Sequence, residues 1–292
     1  MIQGIAGAGG IVISRSIATD KFSGKELAKM LAVIGAINGV APVAAPVVGG
    51  LVTGTVGWRG VFMILLVIGL LLWIGCIRFK ESLPVEKRSC QGVVATFRNF
   101  GVIVRNRRYM LYVLQLAFAQ GILFAYIASS PFIVQQHYGF SPLAFSICFA
   151  VNAIAIGIAA AISIKFRRPE NGTLTGCIGM LLLSLLVMVA LYNRCDFWTY
   201  EILMFALLFM MGLTFTASTT LAMDSERQYA GAASALLGAL CFASGGIVSP
   251  LVGLGDTLIS TGVAFVICAV CSLLCVLWAV KRNTLNVVVC RT

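Results

Sequence analysis

Long apolar runs separated by short polar intervals dominate the chain. Nine of them reach bilayer-crossing length, at residues 1–19, 30–53, 60–78, 109–134, 143–164, 173–193, 198–222, 231–254 and 259–280. A helix rises about 1.5 Å per residue and the hydrocarbon core is about 30 Å thick, so each crossing needs about 20 mostly apolar residues. The runs are rich in Leu, Ala, Ile and Gly and lack the strict alternation of a barrel strand. In lipid their backbone groups must then be satisfied within each segment, as helix. The pattern predicts an all-α membrane protein of about nine transmembrane helices.

Composition agrees with this. Hydrophobic residues make up 60% of the 292 and charged residues 11%, against about 25% charged in an ordinary soluble domain. The net charge of +11 does not point to nucleic acid, because the basic residues are spread over loops without interleaved aromatics. Their placement carries more information. With loops assigned alternately to two sides, one side collects nearly all of the 21 lysines and arginines; the other holds Arg59 and Arg194, and Arg15 lies inside a span. Positive charge marks the cytoplasmic side, which puts the C-terminus in the cytoplasm and residue 1 at the outer face of a multi-pass protein. Arg15 is about five residues from the inner end of its span, close enough to snorkel to the headgroups.

The longest polar interval divides three spans from six. The expected organisation is residues 1–79 as a three-helix bundle, 80–108 as a basic cytoplasmic connector, 109–282 as a six-helix bundle and 283–292 as a cytoplasmic tail. Gly92 to Arg105 mixes apolar residues with Arg98 and Arg105, a pattern suited to a helix lying on the inner membrane surface. Across the connector, Ala45-Pro46-Val47-Val48-Gly49 in the second span resembles Ser249-Pro250-Leu251-Val252-Gly253 in the eighth. Each lies near the outer end of its helix and is followed by a short loop and one last span. Spans one to three thus repeat seven to nine, as in transporters built from internal repeats. A complete left half would hold three further helices, about 100 residues.

The second span is unusually dense in helix-weakening residues: Gly35, Gly39, Pro42, Pro46, Gly49 and Gly50. Gly35 and Gly39 form GxxxG, which admits a close neighbour, and the prolines remove amide donors and kink the helix. Tight packing alone is one reading, and a bent gating helix is the other. The stretch Gly35 to Gly50, Gly-Ala-Ile-Asn-Gly-Val-Ala-Pro-Val-Ala-Ala-Pro-Val-Val-Gly-Gly, resembles the antiporter motif GxxxGPxxGG in the fifth helix of major facilitator drug exporters. Ala45 stands where that motif usually has glycine. Ala41-Pro42 and Ala45-Pro46 together are similar to the bicyclomycin and chloramphenicol resistance subfamily, Bcr/CflA. Gln3-Gly4-Ile5-Ala6-Gly7-Ala8-Gly9-Gly10 resembles the fourth-helix motif RxxQGxgaa, and Tyr229-Ala230-Gly231-Ala232-Ala233-Ser234-Ala235-Leu236 also fits the subfamily.

The resemblance implies an incomplete major facilitator fold, equivalent to helices 4 to 12 of twelve. It implies multidrug or antibiotic efflux across the bacterial inner membrane by proton-coupled alternating access, with small-molecule drugs and protons as partners, a monomer in the lipid bilayer, and no cofactor. The family's fourth-helix arginine would stand just before Met1, and the subfamily's first-helix aspartate and the charged loop between helices two and three are not in the chain. The expectation is therefore an N-terminally shortened chain with impaired transport; the alternative is a truncated gene product with none.

A titratable group within a span is the usual mark of proton coupling. The ten acids, Asp20, Glu26, Glu81, Glu86, Glu170, Asp196, Glu201, Asp224, Glu226 and Asp256, fall in loops or near helix ends, with Glu201 the deepest. The sequence therefore places the coupling carboxylate outside this chain. Polar residues within spans outline a candidate substrate cavity. Gln115, Tyr126 and Ser129 share one helical face, and Pro131 bends that helix near its outer end. They suit a cavity lining or interhelical hydrogen bonds equally well; Asn38, Asn152 and Thr216 are further candidates. No HExxH, no serine with a partnering Lys or His and no metal cluster lies within a span, so an intramembrane enzyme is not expected. Cys268 and Cys271 form a CxxC inside the last span, read as small apolar helix residues.

Overall fold

The computed structural model describes residues 24–78, 100–163, 166, 168–226 and 230–289, together with residues 7, 10 and 17. The run 1–19 and most of the connector, with the surface helix expected from Gly92, lie outside the described residues apart from these. All described elements are helical: α1 Gly24–Ile77, α2 Arg107–Pro131 with a π-helical extension Phe132–His137, α3 Pro142–Ser163, α4 Pro169–Tyr192, α5 Phe197–Ser225, α6 Ala230–Val252 and α7 Thr257–Val289. A further helical stretch covers residues 100–105. Among the described residues, seven helices are long and apolar enough to cross a membrane, as a multi-pass membrane protein requires.

The backbone divides into two compact units, residues 1–92 and 93–292. In the first, α1 has two helical arms meeting at Gly57, whose φ of 73° and ψ of 177° leave the helical region. A side chain there would be strained, so glycine permits the break. Gly57 falls in the interval between the predicted runs 30–53 and 60–78. The arm after it spans about 30 Å, one hydrocarbon core, and is apolar all round, with Leu66 56% and Trp73 64% exposed.

The second unit is a bundle in which α2 packs against α5, α6 and α7, while α5 also packs against α3 and α4. Small residues set the crossings. A methyl group on Gly212 of α5 would meet the Ile156 carbonyl of α3 at 2.5 Å, and one on Gly176 of α4 would meet the Met210 carbonyl of α5 at 2.8 Å. Without a hydrophobic drive between helices in lipid, such close approach supplies van der Waals contact.

Helix ends are fixed by polar side chains. Asn106 Oδ1 accepts from the Arg108 and Tyr109 amides at 3.1 and 3.2 Å, while its Nδ2 donates to Glu226 Oε1 at 2.6 Å. This N-cap ties the start of α2 to the end of α5 and satisfies two orphan amides. At the opposite end of α5, Asp196 accepts from the Thr199 amide at 3.1 Å and hydroxyl at 2.6 Å. Those hydrogen bonds hold the Asp196 carboxyl below its ordinary value of 3.8. At the end of α2, Pro131 cannot donate to the preceding turn, and the helix continues as the wide turn Phe132–His137.

Candidate functional site

The stripe on α2 is followed by its local chemistry. Gln115 is fully buried; its Nε2 donates to Ser272 Oγ of α7 at 3.2 Å and lies 3.6 Å from Cys177 Sγ of α4. The Cys177 thiol is itself 3.5 Å from Ser272 Oγ, closing a small polar knot across three helices. Ser129 donates to its own helix at the Ala125 carbonyl, 2.9 Å away, as a back-bonding serine does. Thr216 is half-buried, and its carbonyl accepts from the Thr220 hydroxyl at 2.9 Å.

Tyr126 and Asn152 come together. Asn152 Nδ2 donates to the Tyr126 hydroxyl at 3.0 Å and to Glu201 Oε1 at 2.8 Å. Asn152 is fully buried, Tyr126 nearly so, and Glu201 is half-buried one turn inside the start of α5. Phe149 of α3 stacks on the Tyr126 ring, with centroids 5.5 Å apart and an interplanar angle of 12°. One carboxamide thus joins α2, α3 and α5, with an aromatic wall on one side and a carboxylate on the other. Among the described residues, Asn152 Oδ1 and the hydroxyl of Tyr200, the residue before Glu201, are buried without a hydrogen-bond partner. Buried polar atoms in this condition are uncommon and mark positions where a further donor or acceptor would be held.

Glu201 is the residue that reading the sequence for site residues passes over, because it lies so near the helix start. The signal that identifies it is tertiary: Asn152 is 49 positions away and Tyr126 a further 26 before that. The remaining candidates belong to the first unit. Gly35, Asn38, Gly39, Pro42, Pro46, Gly49 and Gly50 lie on the continuous helix before Gly57. The side chains of Asn38, Pro42 and Pro46 lie outside the described residues. Among the described residues, nothing lies within 4 Å of where a Gly49 Cβ would stand.

A shallow hollow where the end of α2 meets the α4–α5 and α6–α7 connections is lined by Gln136, His137, Arg194 and Asp256 and by none of Tyr126, Asn152 and Glu201. Among the described residues no three His, Cys, Asp or Glu side chains stand together as a metal site. Cys268 and Cys271 are both unbridged.

Comparison with known proteins supplies the family. The model described as Major Facilitator Superfamily matches residues 1–250. An uncharacterized MFS-type transporter, YdgK, of Bacillus subtilis (strain 168) is 35% identical over 264 residues, covering 88% of this chain and 65% of that protein. A bicyclomycin resistance protein homolog of Haemophilus influenzae is 26% identical over 260 residues, covering 86% of this chain and 64% of its own length. The chain therefore spans just under two thirds of these relatives. In fold it is similar to a bacterial homolog of the human lysosomal transporter Spinster, crystallised inward-facing and unoccupied. The TM-score is 0.65 at 17% identity, over 91% of this chain and 74% of that one. Spans, helical packing and the match over residues 1–250 agree: the chain belongs to the Major Facilitator Superfamily.

Proposed function

We propose that this chain works in multidrug or antibiotic efflux across the bacterial inner membrane, by proton-coupled alternating access, as a member of the Bcr/CflA subfamily. The observation that carries this reading is the antiporter-like helix Gly35 to Gly50, with its paired Ala-Pro steps. The alignment with a bicyclomycin resistance protein homolog over 86% of the chain supports it. The residues correspond in this reading to helices 4 to 12 of twelve: 1–79 the end of the N-terminal bundle, 80–108 the connector, 109–282 the C-terminal bundle and 283–292 a cytoplasmic tail. The protein acts as a monomer.

Gly35, Gly39, Pro42, Pro46, Gly49 and Gly50 serve the bending of a gating helix. Tyr126 and Asn152 supply polar recognition beside the Phe149 ring, a mixture suited to apolar drugs carrying a few hydrogen-bonding groups. Gln115 and Ser129 contribute to the same face of α2, and Asn38 and Thr216 to the transport path. Bicyclomycin and chloramphenicol susceptibility of an efflux-deficient bacterium tests the proposal. The chain, extended by the three preceding helices of a subfamily member, is expected to raise the inhibitory concentration several-fold. Susceptibility identical to the empty vector for the whole panel would refute efflux.

A further inference from the structure

Glu201 stands within a transmembrane helix, half-buried, with Asn152 as its side-chain hydrogen-bond partner. It lies one turn inside the start of α5, and a half-buried carboxylate is costly to keep unless it is hydrogen-bonded or paired. The titratable groups sharing its surroundings are Tyr126 from α2, Cys148 from α3 and Tyr200 from its own helix. Among the described residues α4 and α6 add none, and no basic side chain faces the carboxylate. Among the described residues it is therefore not half of an ion pair.

The second observation is the unpartnered Asn152 Oδ1. With Glu201 ionised, both amide hydrogens of Asn152 are used, one on Glu201 and one on the Tyr126 hydroxyl, and the carbonyl oxygen is stranded. A proton arriving at Glu201 reverses the preference. The carboxylate takes up one proton, its charge goes from minus one to zero, and a carboxyl O–H appears that needs an acceptor. A half-turn of the Asn152 amide then presents Oδ1 to it, and Oδ1 has a second lone pair for the Tyr126 hydroxyl hydrogen. The turned amide takes its two N–H hydrogens away from these partners, so both arrangements use the same three side chains and strand opposite ends of the carboxamide.

We propose that Glu201 is a proton-binding site of the second unit, and that the turning Asn152 amide passes its charge state to Tyr126 on α2. This rests on the reading of the protein as proton-coupled, and it places a proton-binding carboxylate inside a chain whose sequence alone pointed to one outside it. A proton at Glu201 frees Asn152 from its role as donor and lets the Tyr126 hydroxyl donate instead of accept, beside the Phe149 ring. The same event links α3 and α5 to α2 differently in the two charge states. Tyr126 is the positioning residue through which a bound substrate would feel the proton.

The test is infrared difference spectroscopy of the full chain in liposomes, titrated between pH 8 and pH 5. The wild type is expected to show a protonated-carboxyl band growing on acidification, and Glu201→Gln to lose it. Asn152→Ala should keep the band but move its midpoint by about one pH unit or more, a tenfold change in proton affinity. Glu201→Asp retains a carboxyl should the glutamine variant not fold. With carbon-13 in the glutamate side chains, the wild-type band shifts in frequency and the aspartate band does not. A band unchanged by both substitutions, or a midpoint indifferent to Asn152→Ala, would overturn the proposal. The titration needs no drug and no transport, so its outcome is independent of the susceptibility assay.

Discussion

At the scale of single residues, the informative side chains are those that serve two partners at once. Asn106 caps α2 with its oxygen and holds the nearly buried Glu226 with its nitrogen. Asn106→Ala removes a cap and leaves a carboxylate without that donor, so a loss of about 1–3 kcal/mol is expected. A thermal melt in detergent checks it. Asn106→Asp keeps the capping oxygen but sets a like charge against Glu226, and is expected to be no more stable than the alanine variant. Asp196 gives a pH dependence of definite sign. Its folded pKa is depressed, so the unfolded chain takes up the proton first. The cap's contribution is present above the ordinary value of 3.8 and lost as pH falls through the lower folded value. Amide exchange at the start of α5 should therefore accelerate at the acid end, and in Asp196→Asn that acceleration should disappear. The capping residue types were visible in the sequence. Their second partners were not, because Glu226 and Asn106 are 120 positions apart and nothing local links them.

At the scale of helices, apolar run length located the six spans of the second unit, because the bilayer fixes the length of each crossing, whereas Val48–Ile77 runs across the interval between two predicted runs. The break at Gly57 falls where a polar interval had been read. The π-helical turn Phe132–His137 was not legible: proline announces that a hydrogen bond is lost, but not how the chain absorbs the loss. Residue spacing placed Gln115, Tyr126 and Ser129 on one face of α2. It could not say that Gln115 meets Ser272 of α7 while Tyr126 meets Asn152 of α3, since that depends on which helices pack against which. Helix packing yields a paired prediction. Gly212→Ala puts a methyl against the Ile156 backbone and should cost about 1–3 kcal/mol, whereas Gly157→Ala on α3, with open space at its Cβ, should be close to neutral. Equal melting temperatures for the two variants would show that the α3–α5 crossing is looser than described.

At the scale of the whole molecule, membership of the superfamily follows from the match over residues 1–250, and transport is the activity proposed from it. Charge asymmetry predicts a cytoplasmic C-terminus, which a C-terminal fluorescent fusion reports directly: it should fluoresce, and a periplasmic phosphatase fusion at the same point should be inactive. Family was legible because the motif Gly35 to Gly50 is a continuous segment. The substrate was not, because recognition depends on side chains gathered from helices far apart in sequence, as Tyr126, Asn152 and Glu201 illustrate. Drug accumulation in cells is the direct measure of proton-driven drug export by this chain. Cells carrying this chain, extended by three preceding subfamily helices, should hold several-fold less chloramphenicol or bicyclomycin than the empty-vector strain, and a protonophore should abolish the difference. Accumulation equal to the empty vector, or a difference that survives the protonophore, would contradict proton-driven drug export.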